Sequence, residues 1–490
     1  MFVKFNNTYK KLPERFYQLV NPTPVANPKL IKFNYSLAEE LGISDIPENT
    51  LADFFSGNKL IAGSEPLAQA YAGHQFGNFV PQLGDGRAIL LGEIEDRDSV
   101  LRDIQLKGSG PTKYSRRGDG RAWLGPVLRE YLISETMHKL GISTTRALCA
   151  VSTGENIYRS EPLPGAVLTR VAKSHIRVGT FEYFSARGDT EALEVLVDYL
   201  IKREYPELKS SNNKALGLLE KVASRHSELI AKWLSVGFVH GVMNTDNTSI
   251  TGETIDYGPC AFMDTYHPNT VFSSIDHYGR YAYTNQSQIG LWNISCLASC
   301  LLDLISPDRN QAISLSQEVF DQYKTNFRNH YQKIFLNKIG IFNNQQAQDM
   351  ELVQEFLELL QDSRVDFTLG FYKLGELTER GSCTNEFRRL FDQGDNLEAR
   401  LNLWLDKWRS RIQSQRQTDL MDRMNAVNPA FIPRNHHVEL MIEQARQADY
   451  SYFNDLLECL SEPYHYRVEY QKFFSPPPDK NTQYVTFCGT

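Results

Sequence analysis

The spacing of apolar residues changes character at about residue 190. Before it, apolar runs are short and bounded by glycine. Ala88-Ile89-Leu90-Leu91-Gly92-Glu93 follows the turn Gly84-Asp85-Gly86 and reads as a strand. Ile104-Gln105-Leu106-Lys107 alternates apolar and polar, as a half-buried strand does, and Gly108-Ser109-Gly110-Pro111 ends it. One helix is punctuated at both ends: Pro126 falls where the first helical position should be, and Gly141 just past the last. Between them Val127, Leu128, Tyr131, Leu132, Ile133, Met137 and Leu140 spread over several sides, so this helix is expected to be well buried. After residue 190 the apolar period is three and four. Leu219, Val222, Leu229 and Trp233 mark a helix over Leu216–Leu234 that stops at Gly237, and Leu291–Ile305, Leu352–Leu360 and Leu401–Ile412 read the same way.

The expected fold is therefore α+β, with a smaller β-containing part ahead of a larger helical one. Residues 1–60, broken by Pro22, Pro24 and Pro28, read as an extension. Residues 61–180 form the β-containing part and 181–450 the helical part. Residues 451–490, with the run Pro476-Pro477-Pro478, read as a tail over the surface.

Composition narrows the class. The 490 residues are 41% hydrophobic and 23% charged, enough for a large core. A net charge of −7 argues against a nucleic-acid partner but leaves room for a local basic cleft. Seven scattered cysteines do not make a disulfide framework, and Cys296 and Cys300, four apart in an apolar stretch, read as buried thiols rather than zinc ligands. Lys4, Lys10 and Lys11 precede no apolar run, and no stretch nears the ~18 apolar residues that span a bilayer. The expectation is a cytoplasmic protein with no membrane partner.

Candidate chemistry concentrates in Phe238-Val239-His240-Gly241-Val242-Met243-Asn244-Thr245-Asp246-Asn247 and the following Ser249–Gly258. If Thr251-Gly252 is a two-residue hairpin loop, Ile250 faces Glu253 and Asn247 faces Asp256. An amide oxygen and a carboxylate so placed can share one Mg²⁺, or Mn²⁺, with phosphate oxygens. A loop Asn followed by Asp-x-Gly is the logic of a protein kinase site. The kinase base position, two residues after the His, is Val242 here, which accepts no proton; Asp246 is the nearest replacement. Lys107 near a strand end and Glu130 in the punctuated helix suit the kinase strand–helix ion pair. This constellation makes the expected architecture a kinase-like bilobal fold, with 61–180 as N-lobe and 181–450 as C-lobe. The Gly-Asp-Gly-Arg tetrads at Gly84–Arg87 and Gly118–Arg121 serve either as turns or as close approaches to phosphate. Arg170 and Arg177, each among apolar residues, call for a carboxylate or a phosphate.

The strings GHQFGNFVPQLGDGRAILLGE, LKGSGPTKYSRRGDGRAWLGPVLREYLISE, HGVMNTDNTSITGETIDYGP and GRYAYTNQ resemble the selenoprotein O family, also called YdiU, from about residue 60 to 300. Weaker likeness continues at Pro433-Arg434-Asn435-His436 and the C-terminus. The resemblance implies a pseudokinase-like fold that binds ATP flipped and moves AMP to Ser, Thr or Tyr hydroxyls of proteins, releasing pyrophosphate. It implies nucleotide contacts from Gly84, Gly86, Arg87, Lys107, Asp119, Gly120, Arg170, Arg177 and Asp256. It makes Asp246 the proton acceptor and Asn247 and Asp256 the metal ligands. The family's selenocysteine is absent from the ending Phe487-Cys488-Gly489-Thr490. Val271–His277 lacks the cysteine that some bacterial members pair with the C-terminus, which leaves Cys260 as the nearest thiol by sequence. Two other activities fit the same residues: an idle ATP-binding scaffold and a phosphotransferase.

Overall fold

The computed structural model describes residues 3–343, 346, 348–379, 384–391, 394–413, 419–478 and 484–486; Cys383 and Cys488 lie outside them. Its N-terminal region is built around one antiparallel sheet. The strands are β1 (Tyr17–Leu19), β2 (Lys29–Phe33), β3 (Leu67–Gln69), β4 (Gly73–Gln75), β5 (Asn78–Val80), β6 (Ala88–Glu95), β7 (Leu101–Lys107), β8 (Ala122–Trp123), β9 (Arg146–Tyr158) and β10 (Pro162–Ala172). The sheet order is β1-β3-β6-β7-β10-β9-β2, with β8 on β10, while β4 and β5 form a separate hairpin. Thus residues 1–60, read from the sequence as an extension, contribute both outer strands of the sheet.

Register decides which side chains share a face. Lys107 lies opposite Leu168, and Gln105 lies opposite Arg170. Side chains two apart on one strand and directly opposed on its neighbour point the same way. Lys107 and Arg170 therefore leave the sheet on one side. The other side carries Ile104, Leu106, Val167 and Val171, which pack on the short helices α1 (Tyr35–Glu40) and α2 (Glu48–Ser56).

Helix α3 (Leu124–Lys139) covers the Lys107 face, with Leu128 and Leu132 packed on Ala147, Ala150, Ala166 and Leu168. It begins two residues before Pro126, which sits third in the first turn, where a missing N–H still costs no intrahelical bond. The helical region opens with α4 (Val178–Ser185), α5 (Thr190–Glu204) and α6 (Lys214–Ser235). Asp189 caps α5 and Asn213 caps α6, each accepting a backbone N–H from the first turn. Helices α7 (Gln286–Ile305) and α8 (Arg309–Lys338) pack on α6. A second core joins α8 to α9 (Asp349–Asp362) and α10 (Phe367–Glu376).

Two expectations change. The stretch Tyr283–Ile305 is long and apolar enough to cross a membrane, with hydropathy 1.4, where none was expected; Ile294, Leu297, Leu301 and Ile305 are buried within the helical core. Residues after 450, read as a surface tail, place Phe453, Leu456 and Phe473 in the core beneath α3.

Lys338, the last residue of α8, is buried with its ammonium 4.4 Å from the centroid of the Phe371 ring and no carboxylate at ion-pair distance among the described residues. Burial lowers its pKa to about 7. The unfolded chain keeps that proton to a higher pH, so the cost of burying the charge is full below about pH 7 and fades as pH rises toward 10.5. Lys338→Met is expected to raise the thermal unfolding midpoint at pH 7 by a few degrees, and the gain should shrink in scans at pH 9 and above.

Candidate active site

A cleft of about 770 Å³ lies between the sheet and the helical region. Gly84, Gly86, Arg87, Lys107, Asp119, Gly120, Arg170, Arg177, Asp246, Asn247 and Asp256 all line it. Glu130 stands behind this wall, on the buried face of α3. Seven Lys and Arg side chains line the cleft against four carboxylates, in a chain that is acidic overall.

The back wall is an ion network. Lys107 Nζ donates to Glu130 Oε2 at 2.7 Å and to Asp256 Oδ1 at 2.8 Å. Arg170 bridges the same two carboxylates through Nε and Nη2. Arg177 Nη1 donates to Asp256 Oδ2 at 3.1 Å and to the backbone oxygen of Asp246 at 2.9 Å. Its guanidinium lies 4.5 Å from the Tyr71 ring centroid, and Asp85 Oδ1 is 3.8 Å from Nη2. Burial opposes ionisation of Glu130, yet Arg170 and Lys107 outweigh it and hold the carboxyl below its ordinary range. Burial opposes ionisation of Asp256 too, but Arg170, Lys107 and Arg177 together hold it well below that range.

The glycine turns also line the cleft. Gly84 has φ +70°, and a Cβ there would lie 2.3 Å from the Tyr114 ring. Gly120 has φ +65° and would meet the Gly110 carbonyl at 2.1 Å. Asp119 faces the cleft while its carboxylate takes a two-point bond from Arg159, at 2.8 and 3.0 Å. Arg87 lines the cleft at the start of β6.

Asp246 sits in the 3₁₀ turn Thr245–Asn247. Its Oδ2 accepts from Gln75 Nε2 at 3.3 Å, and its Oδ1 is buried without a hydrogen-bond partner. Burial pushes its carboxyl up to about 6, against the pull of Gln75 and Arg177. Asn247 donates Nδ2–H to the Val242 carbonyl at 3.0 Å, which leaves its side-chain oxygen uncommitted to that bond. His240 is buried against Trp233, with Nε2 2.9 Å from the Ile255 carbonyl, so it braces the loop rather than facing the cleft.

The expected hairpin does not form. Ser249 bridges to Arg177 and Thr254 to Thr144, so each arm pairs with a distant segment instead of with the other. Ile250 N–H donates to the Ile176 carbonyl at 3.0 Å, and Glu253 accepts from Lys173 N–H at 2.9 Å. Asn247 and Asp256 nevertheless line one cleft. Asp256 has φ +63°, in the left-handed region that Asp tolerates better than most residues.

A family model described as "Protein adenylyltransferase SelO" matches residues 1–461. The chain belongs to the SelO family. It is 52% identical over 491 residues to a protein nucleotidyltransferase YdiU of Rhizobium meliloti (strain 1021), covering 99% of each chain. It is also 51% identical over 491 residues to a protein of the same name from Maridesulfovibrio salexigens, covering 99% of this chain and 98% of that one. A third, from Bradyrhizobium diazoefficiens, is 50% identical over 493 residues with 99% of both covered. The match extends past the span in which the sequence strings resembled this SelO family.

Several cleft residues escaped sequence reasoning. Asp85 and Tyr71 touch Arg177, and Gln75 holds Asp246. Asp85 stands between the two glycines of the first tetrad, which the sequence leaves open as a turn or an approach to phosphate; its burial, with Gln69 N–H donating to it at 3.0 Å, sets it apart from a solvated turn Asp.

Removing Glu130 leaves the buried Lys107 and Arg170 with Asp256 alone, which Arg177 also uses. Glu130→Ala is expected to lower unfolding free energy by about 3–5 kcal/mol, read by urea titration.

Proposed function

We propose that this protein transfers AMP from ATP to a Ser, Thr or Tyr hydroxyl of other proteins and releases pyrophosphate. The observation that carries the proposal is the division of labour in the cleft. Lys107, Arg170 and Arg177 gather on Asp256 and Glu130, while the buried carboxylate of Asp246 beside them makes no ion pair among the described residues, Arg177 donating only to its backbone oxygen. Family membership and the names of the relatives point the same way.

In this reading the β- and γ-phosphates lie against Lys107, Arg170 and Arg177, and the turns at Gly84–Arg87 and Asp119–Gly120 approach the rest of the nucleotide. Asp246 takes the proton from the acceptor hydroxyl. The hydroxyl oxygen bonds to the α-phosphorus, the bond from that phosphorus to the α–β bridging oxygen breaks, and pyrophosphate carries the electron pair away. The cationic wall stabilises the charge that develops on pyrophosphate. A carboxyl held near 6 is largely ionised at neutral pH yet basic enough to accept a proton. Val242 supplies no competing base.

The oxygen donors Asn247 and Asp256, with the orphaned Asp246 Oδ1 close in sequence, suit a hard divalent cation such as Mg²⁺ or Mn²⁺. Asn247 and Asp256 would hold it, and it would neutralise phosphate charge. The strand lysine paired with a helix glutamate, together with the loop Asn and downstream Asp, supports describing the architecture as kinase-like, with two lobes about the cleft.

ATP labelled at the α- or γ-phosphate decides the chemistry. α-Label is expected on acceptor proteins in a lysate and γ-label is not; γ-transfer would make the protein a phosphotransferase, and no transfer an idle scaffold. Asp246→Ala is expected to bind ATP as the wild type does and to lose transfer at least about 100-fold. Asp256→Ala should lose transfer and also the cation dependence of ATP binding measured by calorimetry.

A further inference from the structure

The turn that carries Asp246 is held by a closed ring of hydrogen bonds lying outside the nucleotide cleft. Glu182, buried on α4, uses both carboxylate oxygens. Its Oε1 lies 2.6 Å from His74 Nδ1, and its Oε2 accepts the Thr245 hydroxyl at 2.5 Å. That hydroxyl accepts the backbone N–H of His74 at 2.6 Å. Three elements distant in sequence thus close on one hydroxyl: β4, α4 and the residue next to Asp246.

The polarity is self-consistent. A hydroxyl has one proton, given to Glu182, and keeps lone pairs for the His74 N–H. The Cys296 thiol also lies within 4.8 Å of the His74 and Glu182 ligand atoms. Both oxygens of Glu182 are already committed to short bonds within the protein, so the arrangement is complete as a hydrogen-bonded ring.

The surroundings show what the ring fixes. A Cβ on Gly73 would lie 2.4 Å from Asp246 Oδ1, and one on Gly179 would lie 3.3 Å from Asp246 Cα. Strand β4 and helix α4 therefore press on Asp246 from two sides at backbone distance. Phe76 N–H adds a bond to Asn244 Oδ1 at 3.1 Å. Gln75, between these anchors, reaches Asp246 itself.

We infer that Glu182, acting through Thr245 and His74, is a positioning residue that fixes the Asp246 carboxylate for proton acceptance. None of the three side chains lines the cleft. Loosening the ring should displace the base while the cationic wall that binds phosphate stays intact, and a displacement of ~1 Å can cost ~100-fold in rate.

The inference rests on Asp246 being the base, so Asp246→Ala is measured alongside. The test compares Thr245→Val, an isostere without the hydroxyl, with Thr245→Ser, which keeps it. Transfer of α-label to the lysate protein that the wild type labels most strongly is followed, with ATP affinity by calorimetry and the unfolding midpoint. Thr245→Val is expected to lose about 10- to 100-fold in kcat with ATP affinity within about twofold of the wild type. Thr245→Ser should retain most of the activity. Three results would overturn the inference: wild-type kcat in Thr245→Val, equal losses in the Val and Ser variants, or a loss of ATP binding in step with the loss of rate. If Thr245→Val does not fold, His74→Ala at its partly exposed position opens the same ring, and an unchanged kcat there overturns the inference equally. Full activity in Asp246→Ala refutes the base itself; an inactive Asp246→Ala beside a fully active Thr245→Val refutes only the positioning role.

Discussion

The carboxylate of Asp256 ties the sheet to the helical region. Lys107 from β7, Arg170 from β10 and Arg177 at the start of α4 all converge on it, and the first two share Glu130 on α3. Glu130, Lys107, Arg170 and Arg177 are buried, so each needs an opposite charge. The consequence is mutual dependence. The register of β7 on β10 places Lys107 beside Arg170; α3 must lie on that face to deliver Glu130; and the segment after the Thr245–Asn247 turn must enter the left-handed region to present Asp256. In the proposed function, a substrate phosphate entering the cleft would meet cations already held in place, which lowers the cost of ordering them on binding.

Much of this was legible in sequence because local rules govern it. The strand ending at Lys107 and the glycine-bounded helix carrying Glu130 both follow from period and punctuation. Their opposition follows from the need of a shielded carboxylate for a cation. The hairpin argument failed because it used local signals where distant ones won. A turn does form, but it centres on Ile250-Thr251, one residue before the expected loop, with Gly252 N–H donating to the Ser249 carbonyl at 3.2 Å. The arms beyond it found better partners in residues 177 and 144, which no short-range pattern reveals. The outer strands in residues 1–60 were missed for a related reason: prolines between them obscured two strands of three and five residues, whose partners lie far along the chain.

Polar networks were the least legible. His74, Glu182 and Thr245 are separated by more than a hundred and by sixty-three positions, and none belongs to a periodic apolar pattern. Each taken alone reads as an ordinary turn or helix residue. Only the fold makes them one ring, and it does so with small residues, Gly73 and Gly179, where backbones must approach closely.

Helix α3 has one more consequence, and it concerns time. Its face away from the sheet is covered by Met441, Phe453, Leu456 and Phe473, and Arg129 on the same helix donates to Glu439 at 2.7 Å. Still later, Thr486 pairs with Ser273 and gives its hydroxyl to the Pro259 carbonyl beside the Asp256 turn. A ribosome makes the chain from the other end. When Lys107, Glu130 and Asp256 have all been synthesised, the residues that cover this face of α3 have not yet been made. The helix that carries Glu130 therefore completes its burial only with residues made about 310 positions later.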